Sequence, residues 1–388
     1  MANGVEVRGK KIRVYFRYKG ELIRETLDLD DTPDNRAYAE RMVAQIRHEI
    51  KAGTYDHARQ FPESKNLQDS RLDYWLDTLL DIKERRVSDS TFRGYKNKID
   101  SHIKPHLGDK VVNQVDRVDV ETWISKDLDK LASKTIKDVV ALLRMTYAFY
   151  RTRYPGVPDP TAGIKIELPD DDDPDPFTKD EIKKIVATEP RNNRWQELNL
   201  IQFMTWSGPR VSEAIAIAWE DVIDLDKGLI KFQRARVRGQ FKATKTKRSM
   251  RVHELIAPAR EALQRQWDLT GHLDPFTVEI KARDNRTIKK EKLHFIFMNT
   301  HTGEPHYDDF RLRDRFFKYH LEKVGVRYRG PGQCRHTYIS QMLTANMPIE
   351  WISKQTGTSV EMIRRRYGKW IDEDAKDMVA TAESRLGL

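Results

Sequence analysis

Residues 12–18, Ile-Arg-Val-Tyr-Phe-Arg-Tyr, alternate between two kinds of side chain. A period of two predicts a half-buried strand, with Ile12, Val14, Phe16 and Tyr18 on one face and Arg13, Tyr15 and Arg17 on the other. Lys19-Gly20 turns the chain into a second strand, Glu21 to Leu27. The period then becomes helical, with Thr32 as N-cap, Pro33 at the first position and Gly53 as the stop. Ala39, Met42, Val43, Ile46 and Ile50 form a stripe that can cover one face of this small sheet. From Asn66 to about Ile164 the spacing is helical throughout, as in Leu72, Trp75, Leu76, Leu79 and Leu80, and again in Val139, Leu142, Leu143, Tyr147 and Tyr150. Between these runs a polar helix, Ser90 to Ser101, carries Arg93, Lys96 and Lys98. The pattern predicts four or five helices with a basic face.

Leu168 to Pro176, with five aspartates and three prolines in nine residues, suits neither helix nor strand interior and reads as a linker. Thr178 caps the next helix. An apolar helix, Leu198 to Trp206, stops at Ser207-Gly208, and Pro209-Arg210-Val211-Ser212-Glu213 opens another that is expected to reach Trp219. Leu229 to His253 is expected to form a basic β-hairpin and Leu293 to Met298 a strand. A helix follows Gly330-Pro-Gly-Gln-Cys-Arg335-His336-Thr. The expected fold is therefore multidomain α+β. It has a small N-terminal sheet plus helix (1–65), a helical domain (66–167), a linker (168–176) and a mainly α domain with a β-hairpin or small sheet (177–388).

A chain of 388 residues suits two or three domains. No run of 18 apolar residues is present, which excludes a helical membrane span, and the first residues lack the apolar core of a secretory signal. The single cysteine, Cys334, leaves no intrachain disulfide and fits a reducing cytoplasm; beside Arg335 it reads as a small buried residue. The formal charge of +10 is concentrated: residues 8–24 hold seven Lys/Arg and one acid, and residues 231–251 hold nine and none. Two such clusters predict phosphate-contacting surfaces, with Arg13, Tyr15 and Arg17 in the first and Arg236, Arg238, Lys242, Lys247 and Arg248 in the second. Solvated surface lysines and arginines are the plainer alternative.

Arg210 at a helix start is placed for an anion such as phosphate, although an Arg near a Glu is more often a structural ion pair. Lys245 lies in the acid-free stretch, and Tyr367 follows three arginines and precedes a glycine. His301 and His306 fit no common zinc spacing, and no metal site is expected.

The ordered set Arg210 with Glu213, Lys245, Arg335-His336-Thr337 and Tyr367, nine residues after Thr358, resembles the tyrosine recombinase or phage integrase family. The first 60 or so residues resemble the arm-binding domain of lambdoid-phage integrases, and the helical region their core-binding domain. Two positions depart from the pattern: Gly332 stands where the family often has His or Lys, and Thr358 where it has a second His.

The resemblance implies a nucleophile, Tyr367, that displaces the 5′-oxygen and forms a 3′-phosphotyrosyl intermediate. Arg210 and Arg335 would clamp the phosphate, Lys245 would be general acid, and Glu213 and His336 would support. Thr358 would donate to the phosphate or cap the helix leading to Tyr367. It also implies double-stranded DNA with crossover and arm-type sites, a homotetramer, a DNA-bending accessory protein and an excisionase, with no cofactor and no membrane. A regulator with weakened catalysis and a chromosome-dimer resolvase are the rivals; the former is motivated by the two departures, and an N-terminal arm domain argues against the latter.

Overall fold

The computed structural model describes residues 4–18, 21–55, 57–61, 64, 71–169, 173–244 and 250–372. The chain divides into two compact units, residues 1–170 and 171–388.

The first unit opens with an antiparallel three-stranded sheet, Val5–Arg8, Lys11–Tyr18 and Glu21–Asp30, in chain order. The alternation works as expected: Ile12, Val14 and Phe16 are buried against Ala39, Val43 and Ile46 of helix Pro33–Ala52. That helix starts where Thr32 accepts a hydrogen bond from the Asn35 backbone and ends at Gly53, whose φ of 73° is left-handed. The strand Val5–Arg8 was not foreseen, because four residues, the first two half-buried and the last two exposed, carry no clear period. The buried side also holds a polar cluster, His57 between the Tyr55 hydroxyl (2.8 Å) and the Glu25 carboxylate (3.0 Å).

Helices Leu72–Glu84, Asp89–Lys98, Arg117–Asp127 and Ser133–Arg153 surround Trp75, Trp123 and Tyr147. The polar helix does not stop at Ser101. It widens into a π-turn, Ile99–Ile103, and continues as Lys104–Leu107, since Ile99, Ile103 and Leu107 all reach the core.

In the second unit, Thr178 and Glu181 form a reciprocal cap on helix Lys179–Ala187. The end of the acidic run is docked: Asp175 accepts from Arg329 at 3.0 Å and its backbone N–H donates to Gln333. Helices Trp195–Ser207, Ala257–Thr270 and Gln333–Thr344 contribute to a core with Phe203, Leu263, Ile296, Phe297 and Cys334. Cys334 is buried, which pushes its thiol up to about 12, so it stays protonated.

Three expectations are corrected here. The helix after Arg210 is a single turn, Val211–Ala214, and does not reach Trp219. The Ile217 carbonyl instead accepts from Ile296 and Ala218 bridges Phe295, so pairing outweighs helix continuation. Residues 229–253 are not one hairpin. Leu229–Phe232 pairs with Arg251–Glu254 in a sheet with Val222–Asp224. Arg234–Val237 and Gln240–Ala243 form a separate hairpin in a four-stranded sheet with Phe276–Lys281 and Ile288–Leu293. The strand expected at 293–298 is Ile288–Leu293; its exposed Lys and Glu residues show no alternation to read. No helix among the described residues is long and apolar enough to cross a membrane.

Candidate active site

Helix Trp195–Ser207 is closed by Gly208 at φ 63°, where a side chain would strike the ring of Tyr338. That turn delivers Arg210, extended at φ −68° and ψ 148°. The helix it opens has one turn, so its dipole is small, and the guanidinium must supply most of the attraction for an anion. Arg210 keeps 48% of its side chain exposed and donates from Nη1 to Glu213 Oε1 at 3.0 Å; its backbone N–H donates to Oε2 at 3.0 Å.

Glu213 is 3% exposed and serves a second cation. Arg251, on strand Arg251–Glu254, donates from Nη2 to Glu213 Oε2 at 3.0 Å and from Nε to the Gln355 carbonyl at 2.6 Å. Burial works to raise the Glu213 pKa, but the charge and hydrogen bonds of Arg251 and the Arg210 N–H overcome it and hold it below the usual range. The carboxylate is thus ionised and shared between two guanidinium groups.

Arg335, in the first turn of helix Gln333–Thr344, spans three segments. Nη1 donates to the Gly208 carbonyl at 2.7 Å; Nη2 donates to the Thr356 carbonyl at 2.8 Å and to Thr358 Oγ1 at 2.5 Å. Burial and the nearby Arg210 charge push it down to about 10, so it remains a cation at neutral pH. Thr358 does not cap the helix that follows. Ser359 does, accepting from the Met362 backbone at 3.2 Å.

Tyr367 sits in helix Val360–Asp372 at a kink, with φ −126° and ψ 16°, and is 2% exposed. Its hydroxyl lies 2.5 Å from His336 Nδ1. Burial raises the phenol to about 12, against the pull of Arg335 and Arg366. Burial and the same two arginines push His336 down to about 4.

The fold therefore brings Arg210, Glu213, Arg335, His336, Thr358 and Tyr367 into one linked network. Lys245, Lys247 and Arg248 lie outside the described residues. Arg238 is exposed at the tip of its hairpin, Lys242 is partly buried, and Arg236 is partly buried with its guanidinium 4.5 Å from the Phe241 ring centre. In the first unit, Arg17 and Arg93 are exposed and Tyr15 is half-buried; Arg13 pairs with Glu6, Lys96 with Asp100 and Lys98 with Asp138. Sequence reasoning missed Arg251 and Gln355. In Arg251-Val252-His253 the polar residues point inward and Val252 outward, the reverse of what hydropathy suggests. Among the described residues no group of three or more His, Cys, Asp or Glu could hold a metal ion, and the buried His306 is pushed down to about 4 by desolvation.

Cations converging around a tyrosine hydroxyl suit attack on a phosphodiester, whose non-bridging oxygens match a guanidinium fork. The comparisons agree with that chemistry. Residues 176–372 match the phage integrase family, 71–127 its N-terminal SAM-like domain and 2–65 the arm DNA-binding domain. The chain is 30% identical to the prophage integrase IntR of Escherichia coli (strain K12), over 100% of this chain and 99% of that one. The fold resembles the Tn1549 transposon integrase in complex with a circular intermediate DNA (TM-score 0.64, 16% identity, 77% of this chain and 95% of that chain). It also resembles a lambda integrase tetramer bound to a Holliday junction (TM-score 0.57, 15% identity, 92% and 96%). The chain belongs to the phage integrase family. It is a DNA-binding enzyme, a site-specific recombinase.

Proposed function

We propose that the protein cuts and rejoins DNA through a 3′-phosphotyrosyl intermediate on Tyr367, integrating and excising a phage or genomic island. The observation that carries this reading is the Tyr367 hydroxyl buried within the field of Arg335, which is itself tied to the turn that presents Arg210. Arg210 and Arg335 hold the scissile phosphate and stabilise the charge that develops on its oxygens. Glu213 fixes Arg210, and Lys245 protonates the leaving 5′-oxygen. A partner strand's 5′-hydroxyl then attacks the phosphotyrosine and restores the backbone. No metal or redox cofactor enters these steps.

The division of labour we propose is an arm-type DNA-binding domain (1–65), a core-binding domain (66–167), a linker (168–176) and a catalytic domain (177–388). Arg13, Tyr15 and Arg17 would contact arm-type DNA. Arg93, Lys96, Lys98, Arg236, Arg238, Lys242, Lys247 and Arg248 would contact the crossover site. A homotetramer on DNA, with a DNA-bending protein and an excisionase, would work in the cytoplasm of a bacterial host; the tetramer reading is supported by the lambda integrase assembly.

The test uses a nicked suicide form of the crossover site, on which wild type should form an SDS-resistant protein–DNA adduct. Tyr367→Phe should abolish the adduct and leave DNA binding intact. An adduct that persists in that variant rules out Tyr367.

A further inference from the structure

We propose that His336 is the proton acceptor for Tyr367, taking the phenolic proton on Nδ1 as the tyrosine oxygen bonds to phosphorus. The inference rests on the reading of Tyr367 as nucleophile and adds the group that activates it. Four observations converge on it. The hydroxyl lies 2.5 Å from Nδ1, within direct proton-transfer distance. The two rings run nearly parallel, 5.7 Å apart at 27°, so the imidazole is aligned along the phenol. Both residues are anchored: His336 neighbours Arg335 in one helix, and Tyr367 is buried in the cluster with Tyr338 and Ile363. Gly332, one turn earlier on the same side of that helix start, has no side chain to compete for the role.

The electrostatics fit the resting state. With its pKa near 4, the imidazole is neutral at physiological pH and its Nδ1 lone pair can accept. The phenol, pushed up to about 12, will not ionise without help. Arg335 and Arg366 are what oppose a protonated His336 once burial is counted. A DNA phosphate seated against Arg335 brings negative charge beside that guanidinium. Its field cancels part of the repulsion, so docking of substrate itself makes His336 a better base.

The step balances. The Tyr367 oxygen–phosphorus bond forms, the bond from phosphorus to the 5′-oxygen breaks, the phenolic proton moves to Nδ1, and the leaving oxygen takes its proton from the general acid. In the rejoining step the imidazolium returns its proton to the departing phenolate, which makes His336 a base in cleavage and an acid in ligation.

The experiment is single-turnover cleavage of the nicked crossover site as a function of pH. It compares wild type with His336→Ala and His336→Asn, each with tyrosine or trifluorotyrosine at position 367. Asn keeps a hydrogen-bond acceptor near the Nδ1 position but cannot hold the proton. Both variants should bind DNA normally yet cleave about 100- to 10,000-fold more slowly. The acidic trifluorophenol should shrink the Asn deficit at least about tenfold, since a phenol that ionises readily needs less help. Added imidazole should raise the Ala rate.

The inference is overturned if Asn cleaves within about threefold of wild type. It is also overturned if the deficit is the same for tyrosine and trifluorotyrosine, the outcome of a merely structural role. If the Ala variant fails to fold, the Asn and trifluorotyrosine comparison still decides. Tyr367→Phe separates the layers: an adduct surviving there removes the nucleophile, whereas a wild-type rate in His336→Asn with a dead Tyr367→Phe removes only the base.

Discussion

Arg13 with Glu6 in the first unit and Arg251 with Glu213 in the second make the same guanidinium–carboxylate pair in opposite surroundings. At Arg13 the side chains are 22% and 37% exposed, and Arg24 shares the same carboxylate from 3.9 Å. At Arg251 they are 4% and 3% exposed, and the carboxylate also orders Arg210. Water solvates each partner of the first pair when they separate, so the pairing costs little to lose. In the second pair neither charge can be hydrated in place, and each depends on partners inside the protein: Glu213 on Arg251 and Arg210, Arg251 on Glu213 and the Gln355 carbonyl. A pair of the first kind can be broken by a DNA phosphate and its arginine redeployed. A pair of the second kind is a fixed part of the frame that holds Arg210 in place.

Breaking each pair from the same side tests this contrast, and the largest effect should come from the buried one. Arg251→Ala should destabilise the second unit by up to about 3–5 kcal/mol, because it leaves the buried Glu213 carboxylate with only the half-exposed Arg210 as its paired cation. Arg13→Ala should cost at most about 1 kcal/mol. Urea unfolding of the two variants measures both, and equal losses would refute the distinction. The double variant Arg251→Met with Glu213→Gln should recover part of the loss, since it removes both buried charges together.

An acid titration sharpens the comparison through groups that only the interior can perturb. Burial holds His253 near 3 and His306 and His336 near 4. An unfolded chain binds protons at these imidazoles below about pH 6.5, whereas the folded chain refuses them until about pH 4. Stability from these groups is therefore complete above pH 6.5 and is lost as the pH falls towards 4. The depressed Glu213 carboxylate acts in the same direction at lower pH. The melting temperature of the second unit should decline steadily from pH 6.5 to 4.5. A flat profile would mean that these imidazoles are solvated in the folded protein.

The two regions also differ in how far the sequence disclosed them. The two longer strands of the first sheet and its helix were readable because Ile12, Val14 and Phe16 alternate with polar residues and Thr32, Pro33 and Gly53 bound the helix. In the second unit the linear order of Arg210, Glu213, Arg335 and Tyr367 pointed to the site, while the scaffold around it escaped. Local pattern favoured a helix from Val211 to Trp219, but Ile217 and Ala218 take partners from residues 295 and 296, about eighty positions away. Arg251 was read as one more member of a basic run facing DNA. Its inward direction is set by Leu229–Phe232 pairing with its strand, a register that composition does not reveal. His336 was visible only as the neighbour of Arg335; its contact with Tyr367, 31 residues further along the chain, joins two helices.

The smallest effect is expected at Thr358, which sits between the fixed frame and the exchangeable surface. Its Oγ1 accepts a hydrogen bond from Arg335 at 2.5 Å, and its own hydroxyl proton remains to be directed at a phosphate oxygen. The hydroxyl is neutral, and the Arg335 cation is held independently by the carbonyls of Gly208 and Thr356. Removing one neutral partner from such a set costs roughly 0.5–1.5 kcal/mol. Thr358→Ala should therefore slow single-turnover cleavage by about 2- to 15-fold, since 1.36 kcal/mol is tenfold in rate. Its melting temperature should stay near that of wild type, because Ser359 and not Thr358 caps the following helix. Thr358→Ser should restore cleavage by returning the hydroxyl, and Thr358→Val, which keeps the shape without it, should match Ala. If Ala instead melts lower and cleaves in proportion to its loss of folded protein, the hydroxyl is part of the frame, like Arg251. If Ala equals wild type in both assays, the two backbone carbonyls alone fix Arg335, and the phosphate is held without a contact from this position.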